Sequence, residues 1–558
     1  MKLDIRWQLL LAVAGFGLVL ALLTFQVQTA GLCSVRVPAS GGVFAEGMVG
    51  VPQYLNPLLS DNNPVDRELT SLLFDGLTRY EKGELVPVLA ESWEVSEDGR
   101  TIRFTLRDDV SWHDGEPLTA ADVAFTYGLM QDDEFRANSA LRKLWQSVTI
   151  RQVDDFVIEF DLQEPYAGFL DATTRGIIPA HRLEGVTAES LPESAFNRQP
   201  IGTGPFIVEP GQEWQQDRFL SLAPNPSAWR EGSRVANLLY RFYPTEAALL
   251  DAFEQGEIQA INSVSPAMLP EVAQLSQARL FSAVAPRYTT LLFNLTDGGS
   301  PATQSVDVRR ALAYGLDREA LVDETLNGQA VLHTGPYLPT SWAYNPGTLT
   351  LYGSQTISAT TGLDGAGWTL AEGETMRRNG ETPMVLRFLV FDTPTNRELS
   401  KKIAAAWADI GAAPQLNLFS DWRSYQQALR ERNFDVALVD VTPPGDPDLY
   451  DFWSQEAIVR GQNYAGWNRR RASEALEDGR RVWQIDERRP FYDSFLRYYN
   501  EDLPELTLFQ HVYTYAVNEV VEGVEIGLID HPRDRYLTMA DWILLYRDVT
   551  VGCVEDQA

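Results

Sequence analysis

The sequence predicts an α/β protein built from more than one domain, and three observations carry that reading. At 558 residues the chain far exceeds the roughly 100–200 that one domain ordinarily takes, so two or three domains are expected. Residues 384–439 alternate strand-like and helix-like patterns, the order of an open sheet with crossover helices. Residues 93–107 read as a hairpin and Phe156–Leu162 as a further alternating strand, which marks a smaller antiparallel unit ahead of that sheet.

Taken in order, Lys2 and Arg6 precede Trp7–Phe25, nineteen residues without a charge. At about 1.5 Å per residue this run can cross a hydrocarbon core of roughly 30 Å. Basic residues ahead of it place the N-terminus in the cytoplasm and the rest outside. The run is long for a cleavable apolar region of about 7–15 residues, so an anchor through residues 7–25 is expected, with ordinary cleavage as the alternative. Val35–Gly42, with Pro38, Ser40 and two glycines, reads as a linker. In the hairpin, Ile102, Phe104 and Leu106 alternate with Arg103, Thr105 and Arg107, and Asp98-Gly99 supplies the turn. Thr119 is placed to cap a helix whose apolar side starts at Val123, with Asp122 in its first turn. His113, Asp114 and Glu116 read as a turn network. The two glycines of Pro200–Phe206 are followed by no lysine at phosphate-loop spacing, which excludes a nucleotide cradle. Asp317 starts a helix that Gly328 can end.

The stretch Met384–Phe391 is nearly all apolar and suits a buried strand. Leu399, Ile403, Trp407 and Ile410 follow at helical spacing, and Gly411 stops them. Leu416 and Leu418 alternate as a strand, Tyr425 and Leu429 mark a helix, and Phe434–Val439 a further strand. Open sheets bind ligands beyond the carboxyl ends of their strands, and Asp392 and Asp440 occupy two such ends.

The formal net charge of −31 argues against nucleic acid or anionic lipid as the main partner, since both need a basic face. Two cysteines, Cys33 and Cys553, give no zinc or redox motif. Five scattered histidines form no HExxH arrangement, and Asp446 and Asp448, flanked by prolines, read as a turn. No catalytic residue, metal or cofactor is predicted. An extracytoplasmic hydrolase with a carboxylate pair stands as the alternative class, without a nucleophile elbow or metal motif to support it.

Residues 85–127 contain Pro87, Leu89-Ala90, Ser92-Trp93, Asp98-Gly99, His113-Asp114-Gly115 and Leu118-Thr119-Ala120 in an ordered series. Together with Tyr288–Asn294 and Val306–Ala330, they resemble the extracytoplasmic solute-binding proteins of peptide-type ABC importers. The resemblance implies a two-lobed, periplasmic-binding-protein-like fold (type II, cluster C) with a small inserted domain. Its expected division is an anchor or signal segment at 1–41, a discontinuous first domain at 42–79, 198–285 and 505–545, an inserted second domain at 80–197, and a third at 286–504. It also implies capture of a peptide or other small solute by lobe closure, delivery to an ABC permease in the membrane, and an extracytoplasmic location. Many such proteins are lipidated at a cysteine, but the large Leu32 before Cys33 departs from the small residue that processing prefers. Both termini lie in one domain of the family, which makes a Cys33–Cys553 disulfide geometrically possible.

In that family the ligand lies between the first and third domains. The matching segments name Tyr54, Asn56, Trp342, Asp440, Tyr464 and Trp467 as candidate ligand contacts. Peptide binders of the family usually carry an acidic residue just before the Asp-Pro pair, here Asp446-Pro447, to neutralise the α-ammonium. This chain has Thr442-Pro443-Pro444 there. Either Asp440 replaces the missing carboxylate, or the solute has no ammonium, which keeps a sugar, a metal chelate or a sensor role in view.

Overall fold

The structure is a computed structural model that describes residues 7, 10, 12–22, 32–135, 139–209, 218–230 and 234–552. Its framework is a mixed sheet of eleven strands that runs through both large domains. At one side Ala413–Phe419, Val385–Phe391 and Val436–Val441 lie parallel, joined by the helices Pro394–Asp409 and Trp422–Arg430. The predicted order of strands and helices is therefore present. Leu399, Ile403 and Trp407 are buried on the inner face of the first of these helices. At the other side the parallel strands Val43–Val49 and Asn237–Tyr243 are followed by Phe219–Pro224 and Phe206–Val208.

Two long strands, Ala278–Phe293 and Glu505–Asn518, pair antiparallel and join these halves. Their register breaks between Val284 and Tyr288, so the expected boundary at 285 falls inside a strand rather than in a loop. The first domain buries Arg535 against Glu46 and Glu68, all three at 5% side-chain exposure or less.

The inserted region is built around a four-stranded antiparallel sheet, Ala90–Val95, Thr101–Leu106, Val157–Leu162 and Val148–Asp154. Gly99 turns the hairpin at φ +70°, a conformation that glycine adopts without strain. The helix Ala120–Gln131 covers this sheet. The Asp122 carboxylate accepts the Thr119 N–H at 3.0 Å, and Tyr127 stacks on Trp145 at 3.9 Å. His113 proves to be a clamp on the returning chain: its Nδ1 accepts the Gly202 N–H at 3.0 Å and its Nε2 lies 3.1 Å from the Gly204 carbonyl. A Cβ on Gly202 would come within 1.8 Å of the Leu73 carbonyl oxygen, so this glycine serves close backbone approach.

Near the termini Leu32–Ala39 pairs antiparallel with Leu545–Gly552, with Cys33 opposite Val551. Cys553 lies outside the described residues, and with it the candidate Cys33–Cys553 disulfide. Of the expected anchor, Trp7, Leu10 and residues 12–22 are described, all helical. Among the described residues no helix is long and apolar enough to cross a membrane.

Candidate ligand cleft

The parallel strands of the third domain end at Phe391, Phe419 and Val441, beside the two joining strands. Asp440 lies next to such an end, as its place after an apolar run led us to expect, and it pairs directly with Thr289 across the ladder. The Thr289 hydroxyl donates to Asp440 Oδ1 at 2.5 Å and sits 2.8 Å from His511 Nε2. Because that hydroxyl proton is directed to Asp440, Nε2–H donates to Thr289 Oγ1. His511 Nδ1 then accepts from Arg287 Nη2 at 3.1 Å. Arg287 stands in the register break of the joining strand, so the chain of bonds crosses the point where the lobes meet.

Among the described residues every hydrogen bond to the Asp440 carboxylate falls on Oδ1, and its side chain is 38% exposed. Burial raises its pKa, but the bonds from His511 and Thr289 and the nearby Arg287 charge outweigh that and hold it down at about 2. Burial pushes the His511 pKa below its usual value, with Asp440 opposing and Arg287 adding to the shift. The result is a fixed anionic oxygen beside an exposed guanidinium.

Aromatic side chains flank this network. Tyr425 donates to the Leu438 carbonyl at 2.6 Å, stacks on Trp422 at 5.4 Å and meets Phe391 at 5.7 Å. Trp422 remains 51% exposed. Neither Trp422 nor Phe391 was expected at the cleft. Phe391 closes an apolar strand, and Trp422 opens the helix that follows the next one. Asp392 shares that position but is occupied by Arg397, with both contacts at 2.8 Å.

The other expected residues divide. Tyr464 is half-buried against the third-domain core. Trp342 is half-buried, with the Arg488 guanidinium 5.0 Å above its ring and Tyr492 edge-on at 5.2 Å. Tyr54, in the first domain, has its N–H bonded to Asp66 at 2.9 Å and its ring half-buried. Asn56 and Trp467 depart from expectation. Asn56 is fully buried, donating to Asn197 Oδ1 and accepting the Leu58 N–H, both at 2.9 Å. Trp467 is 3% exposed among Trp453, Phe495 and Tyr499, with its indole N–H on Asp502 at 2.9 Å. Both are internal packing residues, because neither side chain has a face left for a solute.

Asp446 and Asp448 form the expected turn. Asp446 takes Arg488 through both oxygens at 2.6 and 2.7 Å and accepts the Asp448 N–H at 3.0 Å, while Asp448 pairs with Arg480 at 2.9 Å. No group of three or more metal-ligating side chains occurs among the described residues.

Comparison with known proteins identifies the fold and the family. Residues 84–458 match the family model of bacterial extracellular solute-binding proteins, family 5. The dipeptide-binding protein of Escherichia coli is 24% identical over 88% of this chain and 94% of its own. The oligopeptide-binding protein AppA from Bacillus subtilis, solved with a nonapeptide, superposes at a TM-score of 0.73 with 22% identity, covering 91% of this chain and all of that one. NikZ from Campylobacter jejuni, solved with Ni(L-His), superposes at 0.74 with 23% identity, over 90% of this chain and 99% of that one. These neighbours share the two-lobed fold. With the family model matched over two thirds of its length, the chain belongs to family 5 of the bacterial extracellular solute-binding proteins.

Proposed function

We propose that this protein is the extracytoplasmic receptor of an ABC importer, and that it captures a short peptide by closing its lobes and presents it to the membrane permease. The observation that carries the peptide reading is the Asp440 carboxylate, ionised and fixed by Thr289 and His511, with Oδ2 free of bonds to described residues. A desolvated ammonium needs such a partner, since an unpaired buried charge would cost several kcal/mol. Asp440 thus supplies the carboxylate that Thr442-Pro443-Pro444 does not. Arg287 offers the opposite charge a short distance along the same network, and Trp422 with Phe391 gives an apolar bed for a side chain. Tyr54, Trp342 and Tyr464 are the further contacts we assign to the closed state.

Closure in this reading bends the joining strands at their register break between Val284 and Tyr288, which supports a domain boundary near residue 285. The protein acts by binding, and the solute leaves unchanged. Residues 7–25 hold the receptor to the outer face of the membrane. Lys2 and Arg6 ahead of the segment, and the outward apolar side chains of Trp7, Leu10, Val13 and Phe16, at 63–70% exposure, support this.

A thermal-shift screen with short peptides, oligosaccharides and metal chelates tests the reading. A ligand at a hundredfold its dissociation constant stabilises the native state by about 2.7 kcal/mol. Stabilisation by short peptides recovered intact is the expected result. Stabilisation by a sugar or chelate alone, or cleavage of the peptide, overturns it.

A further inference from the structure

The first and inserted domains share one core, in which Phe44, Met48 and Leu55 of the first pack in the same buried cluster as Phe104, Trp145 and Phe160 of the inserted one. They form one lobe. The third domain keeps its own cores, around Phe388 and Trp407 and around Trp453 and Tyr499. Besides the joining strands, the two lobes meet at a second place. Both oxygens of Asp171 accept the Asp446 N–H, at 3.1 and 2.9 Å, and the Tyr80 hydroxyl donates to the same carboxylate. The Tyr80 ring lies against Gly445, where a Cβ would come within 2.1 Å of it, so a glycine permits this approach. Trp483, between the helices Arg470–Arg480 and Ile485–Asp502, reaches from the third domain into the inserted one. Its indole N–H donates to the Gly99 carbonyl at 3.0 Å, and its ring packs against the core of the first lobe. Arg481 pairs with Glu164 at 2.9 Å, and the Arg480 guanidinium lies between the rings of Tyr166 and Tyr450, 4.4 Å from each.

This second connection is built to part cleanly. Arg480 and Asp446 each hold a partner within the third domain, Asp448 at 2.9 Å and Arg488 at 2.6 Å, and Asp171 holds Tyr80 within its own lobe. Separation of the lobes therefore leaves none of these charges buried without a partner. We propose that the contacts of Asp171, Tyr80, Glu164 and Gly99 with Asp446, Gly445, Arg481 and Trp483 are a latch, which holds the lobes together through bonds of the protein alone. The latch needs no contact with the solute. It raises the closed fraction of the receptor, so a solute between the lobes supplies only the remainder of what closure requires. This rests on the lobe closure proposed above. Loss of the latch lowers the closed fraction and weakens every solute by the same factor, whatever its chemistry.

Double electron–electron resonance on the full chain in detergent, without solute, tests the latch. Spin labels go on Val153→Cys and Ile357→Cys, exposed sites in the inserted and third domains, with Cys33→Ser and Cys553→Ser to keep other sites unlabelled. A short-distance, latched population is expected. Asp171→Ala and Trp483→Ala, one in each lobe, should each lower its ratio to the open population about fivefold, the effect of one lost hydrogen bond. Calorimetric titration should then show each variant losing about the same factor on trialanine and on N-acetyl-trialanine. A label distribution without the short population overturns the proposal. So does one that both variants leave unchanged while keeping a native thermal transition. A variant that weakens one peptide but not the other also overturns it, because that residue then touches the solute. If neither peptide binds the unsubstituted chain, the peptide reading falls, and the label distances judge the latch alone.

Discussion

Asp440→Asn isolates the charge on which the peptide reading depends. The substitution keeps the shape of the side chain and an oxygen that can still accept from Thr289, so the fold is expected to stand. What is lost is the anionic oxygen that faces the cleft. Truncating one partner of a buried, hydrogen-bonded charge pair costs about 2–5 kcal/mol. With 38% of the Asp440 side chain exposed, the lower end applies, and about 2 kcal/mol is roughly a 30-fold loss of affinity. Titration calorimetry with trialanine and N-acetyl-trialanine separates this effect from any other. Acetylation removes the ammonium, so the wild type should lose about the same factor on the acetylated peptide, and Asp440→Asn should lose little more. Because the carboxyl is held at about 2, its charge is constant from pH 5 to 8 and contributes no pH dependence there. The reasoning is refuted if Asp440→Asn binds trialanine as the wild type does. Equal weakening towards both peptides refutes it as well.

Three further outcomes follow from the packing. Trp467→Ala should lower stability by about 3–5 kcal/mol in denaturant unfolding and leave the affinity of the folded fraction unchanged, since the ring is core; a change under about 1 kcal/mol would contradict that placement. Arg535→Met leaves Glu46 and Glu68 buried without a counter-charge and should cost about 3–5 kcal/mol near neutral pH, a gap that narrows on acidification as Glu68, whose pKa burial raises, takes up a proton. Glu505, 1% exposed, has its pKa raised to about 7 by burial, against hydrogen bonds such as that from Tyr499. The unfolded chain ionises near 4.5, so wild-type stability should fall by on the order of 3 kcal/mol relative to Glu505→Gln between about pH 4.5 and 7, and urea titrations at pH 4 and 8 that show parallel behaviour would exclude this.

The fold was legible where local pattern and burial coincide. The alternation over Thr101–Leu106 and the apolar run ending at Phe391 have the periods of half-buried and buried strands, and the structure places them so. The joining of two lobes by continuous strands was not legible, because Ala278–Phe293 changes environment along its length, exposed at one end and buried at the other. At the cleft, a place at the end of an apolar strand is what singled out Asp440 as a candidate. For Trp467 and Asn56 the family resemblance gave the segment but not the direction of the side chain: an indole packs a core as readily as it walls a cleft, and an Asn bonds an internal Asn as readily as a ligand. Trp422 passed unnoticed because a lone aromatic at a helix start carries no periodic signal. His113 acquires its role only when residues 202–204 return to it across the fold.

One charge cannot close the receptor by itself. Turning a population that is about 1:99 closed into 99:1 requires roughly 5.5 kcal/mol of differential affinity, and about 2 kcal/mol comes from the Asp440 contact. Thr289 and His511, the latter from the expected first domain, fix the carboxylate through strands that stay paired in one ladder, so Asp440 alone does not distinguish open from closed. The discriminating contacts must therefore come from the other side of the cleft. Tyr54 is the first-domain residue we assign to it, and the contact of Tyr80 and Asp171 with Gly445 and Asp446 also exists only when the lobes are together.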